Sequence, residues 1–294
     1  MCGVAGVLLK NKDNAGEKII DMLEAIKHRG PDSTGLAVFD MDQDTLKVVV
    51  GCPNEKRLFQ VINQLTKQKI SFDSAEKRPN FFRLTVYPQE IEQVLDTVRS
   101  VPGCSIYSYG RYVTIVKDTF LPAALLHEYG VNALSGSFAI GHVRLATESR
   151  VNPFWSHPFQ SLAMPDLCIV HNGQITNFFK KKRLLEKRGY QFQTDNDSEV
   201  IAQEIAYCMQ EEKMSFEEAL REVANGLDGA FSLIAAAPGK IGVAKDKLAT
   251  KPLMFAETDE AVALASEEIA IEKILGPKID AEELPPGEVF VWGI

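Results

Sequence analysis

The sequence lacks any apolar run approaching the roughly 20 residues of a membrane span, and Met1-Cys2-Gly3 opens neither a charged n-region nor a secretory hydrophobic stretch. Cysteine is sparse, five in 294 residues. Cys2, Cys52, Cys104, Cys168 and Cys208 are odd in number, scattered and without C-x-x-C spacing, which argues against a disulfide framework and against a zinc or iron–sulfur site. Positive charge is not in excess either. A net charge of -8 speaks against a general nucleic-acid surface and favours solubility. No repeat, low-complexity tract or Gly-rich phosphate loop is found. These absences leave a reduced, soluble, cytoplasmic chain with no membrane segment and no nucleic-acid role. Its 45% hydrophobic and 24% charged content gives an ordinary core, sufficient for one large domain or two modest ones.

What is present begins with M-C-G-V-A-G. Removal of the initiator methionine would leave Cys2 with a thiol and a free α-amine on one carbon. That amine has a reference pKa of about 7.7–8.0 and accepts a proton near neutrality. A thiol beside a base is an activated nucleophile. Gly3 and Gly6 let backbone pass close to a substrate, and Val4, Val7, Leu8 and Leu9 read as a buried strand behind it. Alone, a cysteine at position 2 is as readily an ordinary thiol.

Periodicity predicts a helix over 15–27, then a loop, His28 to Gly35, reading H-R-G-P-D-S-T-G. From 41 to 136 the pattern changes. Helical and alternating stretches follow in α-β-α-β-β order, ending in an expected hairpin of 104–109 with 112–116, which predicts a compact α+β insert serving partner docking or packing. The pattern of the first forty residues resumes with a strand over 137–143 running into R-L-A-T, and another over 167–171 ending in H-N-G. The basic stretch Lys180 to Arg188 reads as a solvated helix face. D-N-D-S-E heads a helix to about Gln210, and alternating helices and short strands complete the chain.

An attack on an amide also needs an oxyanion hole and a clamp for the polar end of the substrate. The Asn172 carboxamide and the Gly173 N–H are candidates for the first. Arg144 could hold a carboxylate bidentately, and Asp197 an ammonium. Read singly, H-N-G is a hairpin turn, Arg144 a surface ion pair and Asp197 a helix cap.

Taken together, M-C-G-V-A-G, H-R-G-P-D-S-T-G, G-H-V-R-L-A-T, S-H-P-F, H-N-G-Q-I-T-N and D-N-D-S-E-V-I, in that order, resemble the class II glutamine amidotransferases, the N-terminal-nucleophile glutaminase family. The resemblance covers about 1–40 and 137–294. It implies an α+β fold, a four-layer α/β/β/α sandwich, with 41–136 as the inserted subdomain. It further implies Cys2 as nucleophile, with its α-amine as base through a water, and an oxyanion held by Asn172 and Gly173. Arg144 and Thr147 would bind the glutamine α-carboxylate and Asp197 its α-ammonium. Arg29 and Asp32 would support the nucleophile, with His157 in a supporting role and His28, His142 and His171 structural. No metal and no cofactor are implied for this chain. With no synthase region after Pro285-Pro286-Gly287, the ammonia user is expected to be a separate subunit, in an oligomer. The free-standing form with its insert is most similar to the amidotransferase subunit of split, archaeal-type glutamate synthases, whose partner is an FMN/iron–sulfur synthase. N-methylglutamate synthases carry a similar subunit. Two further readings stay open: an amide hydrolase of the same fold with another substrate, which would not need Arg144 and Asp197, and a regulatory subunit without turnover.

Overall fold

The first strand, β1 (Gly3–Asp13), sends alternate side chains into two different cores. Val4 and Leu8 face a second sheet, whereas Ala5, Val7 and Leu9 face helices. The computed structural model describes residues 2–42, 45–77, 81–130, 135–146 and 151–294. After β1 come α1 (Ala15–Ala25), β2 (Ser33–Phe39), β3 (Leu46–Gly51), α2 (Glu55–Lys67), β4 (Phe72–Lys77), β5 (Phe81–Val86), α3 (Ile91–Ser100), β6 (Ser105–Gly110), β7 (Val113–Asp118) and α4 (Pro122–Tyr129). The chain continues through β8 (Gly136–Arg144), β9 (Phe159–Gln160), β10 (Cys168–Ile175), α5 (Phe178–Lys187), α6 (Asp197–Gln210) and α7 (Phe216–Gly226). It closes with β11 (Gly229–Ala237), β12 (Lys240–Lys245), β13 (Met254–Glu257), β14 (Ala261–Ala265), α8 (Glu268–Leu275), β15 (Glu282–Glu283) and β16 (Val289–Gly293).

Two antiparallel sheets stack face to face. One has the order β15-β13-β14-β1-β8-β2-β7, the other β16-β12-β11-β10-β9. Between them lie Val4, Leu8, Phe138 and Ile140 from the first sheet against Cys168, Val170, Ile234 and Val243 from the second. Gly6 keeps this contact close, since a Cβ there would press on Ile241 and Leu264. Helices α1 and α8 cover the outer face of the larger sheet, and α6 and α7 that of the smaller. The result is the α/β/β/α sandwich. Each layer follows from amphipathic patterning: Ile19, Ile20, Leu23 and Ile26 put one face of α1 and its end into the first outer core.

A third sheet, β4-β5-β3-β6, belongs to the region between β2 and β7. It packs on α2 and α3 through Val48, Val50, Leu65, Leu84, Val94, Leu95 and Val98. Its other face supplies Val49, Phe81 and Tyr107 to the sandwich side, where Phe81 stacks on Tyr129 of α4 at 5.2 Å.

The hairpin expected from 104–109 and 112–116 does not form. β6 pairs with β3, while β7 pairs with β2 at the edge of the large sheet. Asp166 explains how the two part. Its carboxylate accepts hydrogen bonds from the backbone N–H groups of Arg111, Tyr112 and Val113 at 2.9–3.0 Å, replacing a ladder at the turn. A Cβ at Gly110 would collide with that carboxylate. The separate sheet spans 46–110, and β7 and α4, which follow it, pack with the sandwich. The region leaves and rejoins the large sheet at one point, where Asp40 N–H donates to the Tyr112 carbonyl at 3.0 Å.

Candidate active site

Cys2 lies just ahead of β1, whose Gly3 pairs with Val143 of β8, so the next step of the ladder faces Cys2 towards Arg144. The Cys2 thiol lies 3.7 Å from the Leu145 carbonyl oxygen. Arg29 fixes the backbone at Cys2: its Nε donates to the Cys2 carbonyl at 2.9 Å, while its Nη1 pairs with Glu267. Glu267 also meets His28 at 3.1 Å. Asp32 ties the adjoining turn, with its N–H on the Arg144 carbonyl at 3.0 Å and its Oδ2 accepting from Ala146 N–H at 2.7 Å. Gly30 permits this approach, because a Cβ there would run into the Val143–Arg144 backbone. Burial pushes the Arg144 pKa down, opposed by the charges of Cys2 and Asp32 beside it. A buried guanidinium 6% exposed, facing the thiol's end of the sandwich, is placed to receive a carboxylate.

β10 runs through H-N-G to Ile175 rather than stopping at it. The hairpin-turn reading of those residues is thereby corrected: Asn172 pairs with Ser232 and Gly173 with Phe231 inside a ladder. At Gly173 φ is 147°, and a Cβ would collide with the Ala230 carbonyl. Only glycine keeps the strand in register there. Asn172 follows Cys168 and Val170 on the inner face, is 4% exposed, and its Nδ2 has no hydrogen-bond partner among the described residues. Leaving a buried amide donor unmet typically costs about 1–3 kcal/mol. A donor held unmet is one ready for a developing oxyanion.

Asp197 is the first residue of α6, and Asn196, not Asp197, is its cap, accepting from Ser198 N–H at 2.9 Å. Freed from capping, Asp197 accepts the Ile175 N–H at 3.0 Å through Oδ2 and keeps Oδ1 3.2 Å from the Ser198 hydroxyl. It is partly exposed and so open to an ammonium. Thr147, expected beside Arg144, lies outside the described residues.

Three histidines from different segments cluster behind these groups. His157 stacks on His142 at 4.2 Å and accepts the His171 N–H on Nδ1 at 3.2 Å. Ser198 Oγ stands 3.2 Å from His157 Nε2 and 3.1 Å from His171 Nδ1. Burial, helped by the nearby Arg144 and His171, pushes the His142 pKa down to about 3. Burial likewise carries His157 well below the ordinary range and lowers His171. The cluster is neutral at physiological pH. It is suited to orienting β8, β10 and the start of α6 rather than to carrying charge.

Lys117 of β7, fully buried, supports the His157 loop by donating from Nζ to the Ser156 and Pro158 carbonyls at 3.0 and 3.3 Å. Gly35 makes room for it, since a Cβ would strike the His157 carbonyl. Sequence reasoning passes over Lys117, Ser198 and Glu267. Ser198 sits within D-N-D-S-E-V-I, but its two histidine partners are distant in sequence. Lys117 and Glu267 carry no local signal. Among the described residues no group of three or more His, Cys, Asp or Glu is arranged to hold a metal ion.

The glutamine amidotransferase domain family matches residues 142–273. A candidate glutamine amidotransferase of Methanothermobacter thermautotrophicus is 32% identical, covering 100% of this chain and 100% of its own. The glutamine amidotransferase-like protein GlxB of Rhizobium meliloti is 32% identical over 99% of this chain and 98% of its own. Among solved structures, the glutamine phosphoribosylpyrophosphate amidotransferase of B. subtilis, complexed with ADP and GMP, superposes with a TM-score of 0.64 at 21% identity. That match takes in 99% of this chain and 47% of the longer one, and it is a likeness of fold.

Proposed function

This chain belongs to the class II glutamine amidotransferase family, and from that premise we propose that it hydrolyses glutamine to glutamate and ammonia through a thioester on Cys2. The observation that carries the proposal is the buried Asn172 carboxamide N–H on the sandwich's inner face, unpartnered among the described residues, in the strand beside the histidine cluster that borders Arg144.

In the proposed sequence, Arg144 and Thr147 take the α-carboxylate of glutamine, and Asp197 takes the α-ammonium. The Cys2 Sγ attacks the side-chain carboxamide carbon, its proton passing through a water to the α-amine. The carbonyl oxygen becomes an oxyanion, met by Asn172 Nδ2 and the Gly173 N–H. Such a donor is typically worth about 100- to 1000-fold in rate. The intermediate collapses, the C–N bond breaks and ammonia leaves with the returned proton. Water then attacks the γ-glutamyl thioester, frees glutamate and restores the thiol. Arg29 and Asp32 hold the nucleophile's backbone and the Arg144 turn, and His157 orients the site.

The ammonia is proposed to pass to a separate synthase subunit of the glutamate synthase type, an FMN/iron–sulfur protein. The resemblance of the domain and its insert to the amidotransferase subunit of split glutamate synthases supports this partner.

Intact mass before and after exposure to a glutamine-analogue electrophile tests the proposal. The expected result is loss of Met1 and one adduct mapping to Cys2. A retained Met1, or a processed chain that takes no adduct and releases no ammonia from glutamine, would overturn it.

A further inference from the structure

Cys52 and Cys104 are far apart in sequence and side by side in the fold. β3 and β6 run antiparallel, with Val50 opposite Ile106 and Gly51 opposite Ser105. The next step of that register sets Cys52 opposite Cys104. One step further the chains still touch, because a Cβ at Gly103 would come within 3.1 Å of Pro53. The two cysteines are thus confined between a paired position on one side and a packed one on the other. Directly opposed residues of antiparallel strands have Cα atoms about 4.5–5.5 Å apart, inside the range of about 4.4–6.8 Å that a disulfide requires. Both thiols are free and half-buried, so a small reagent can reach them.

We infer that Cys52 and Cys104 form an oxidisable dithiol that closes to a reversible disulfide by exchange with low-molecular-weight disulfides. It is separate from the Cys2 site and independent of the glutaminase assignment. The two thiols are not equivalent. A hydrogen bond from Cys52, with Arg57 nearby, lowers the pKa of Cys104 against the opposing effect of its burial. That same hydrogen bond, and then burial, raises the pKa of Cys52. Cys104 is therefore the attacking thiolate. Its Sγ bonds to one sulfur of the small disulfide, whose S–S bond breaks and releases one thiolate. Capping Cys104 removes the main cause of the raised Cys52 pKa. Cys52 then gives up its proton to the released thiolate, and its Sγ displaces the second small thiolate, which is protonated from solvent. Two protein S–H bonds are exchanged for one S–S bond, the protein loses two electrons, and the small disulfide gains them as two thiols.

Closure would tie the chain ahead of α2 to the chain after α3, clasping both helices of the small sheet. Cys168 and Cys208 are buried, and burial raises both their pKa values, so they do not compete.

The test uses the whole chain carrying Cys2→Ala, so that the reactive N-terminal region adds no thiol, treated with oxidised glutathione and mapped without reduction. The expected product has Cys52- and Cys104-containing peptides cross-linked, no retained glutathione, and full reversal by dithiothreitol. In a Cys52→Ser variant Cys104 should keep one glutathione. In Cys104→Ser, Cys52 should likewise stop at one retained glutathione with no intramolecular cross-link. Stable glutathione adducts without a cross-link in the parent, or both thiols remaining free while the reagent is consumed elsewhere, would overturn the inference.

Discussion

The sandwich and the small sheet treat buried polar groups in opposite ways. Among the described residues, eight buried side-chain nitrogen and oxygen atoms have no hydrogen-bond partner, and all lie in the sandwich, none within 46–110. They include Asn172 Nδ2, Arg29 Nη2, His142 Nε2 and His171 Nε2, all from motifs flanking Cys2 and Arg144. The small sheet has an aliphatic core of Val48, Val50, Leu65, Leu84 and Leu95 with no such atom. Since each unmet group is destabilising, the difference teaches where the fold tolerates unmet buried polar groups and where it does not.

Four expected outcomes would break or sharpen that contrast. Cys2→Ala should lower glutamine-dependent ammonia release by at least about 1000-fold without changing the melting temperature, since a nucleophile acts only in the reaction. Asn172→Ala should lower kcat by about 100- to 1000-fold while KM moves little, because an oxyanion donor acts in the transition state. A gain in stability in that variant would add that the unmet amide was a burden. Arg144→Lys should raise the glutamine KM by about tenfold or more, with kcat less affected, because an ammonium cannot reproduce the bidentate fork. A kcat loss with constant KM would remove Arg144 from the carboxylate clamp. On the other side of the comparison, Leu95→Ala should destabilise the chain by about 2–5 kcal/mol in urea titration, with kcat/KM unchanged at low temperature. A parallel loss of activity would tie the small sheet to catalysis.

Acidity probes the same contrast more gently. His142, with a pKa of about 3 against its ordinary 6.5, and His157, also lowered by burial, bind fewer protons folded than unfolded. Their contribution to stability is complete above pH 6.5 and is lost as pH falls towards 3. Unfolding midpoints measured across that window should drop, and His142→Asn should flatten the slope.

The sandwich strands are readable from alternation, and the site from short contiguous motifs. Cys2, Arg144, Asn172 and Asp197 each sit in a short contiguous motif that is ambiguous read singly, and the resemblance carried by the ordered set of motifs is what marks them. What escapes such reading depends on partners far along the chain. Nothing local says that Ser198 will stand between His157 and His171. Nor does V-T-I-V-K-D announce that Lys117 will be buried beneath the His157 loop. β6 and β7 read as a hairpin because hairpins are the commonest outcome for strands so close together. The carboxylate that separates them comes from Asp166, beyond β8. Register is a property of pairs, and one strand does not carry its partner's name. The same limit hides the juxtaposition of Cys52 with Cys104.

The hydrogen bond between Asp40 and Tyr112 bears on how such a protein could have been put together. Phe39 faces Val113 in the β2–β7 ladder, so the two strands are the arms of a simple hairpin whose tip has been opened and filled with a folded body. An addition whose two ends meet at one stem can be lengthened or exchanged without reordering the strands beneath it, provided the places of Val49, Phe81 and Tyr107 against the sandwich are refilled. For an evolving lineage, or for an engineer, that stem is a socket: the catalytic chassis keeps its wiring while the attachment is free to change.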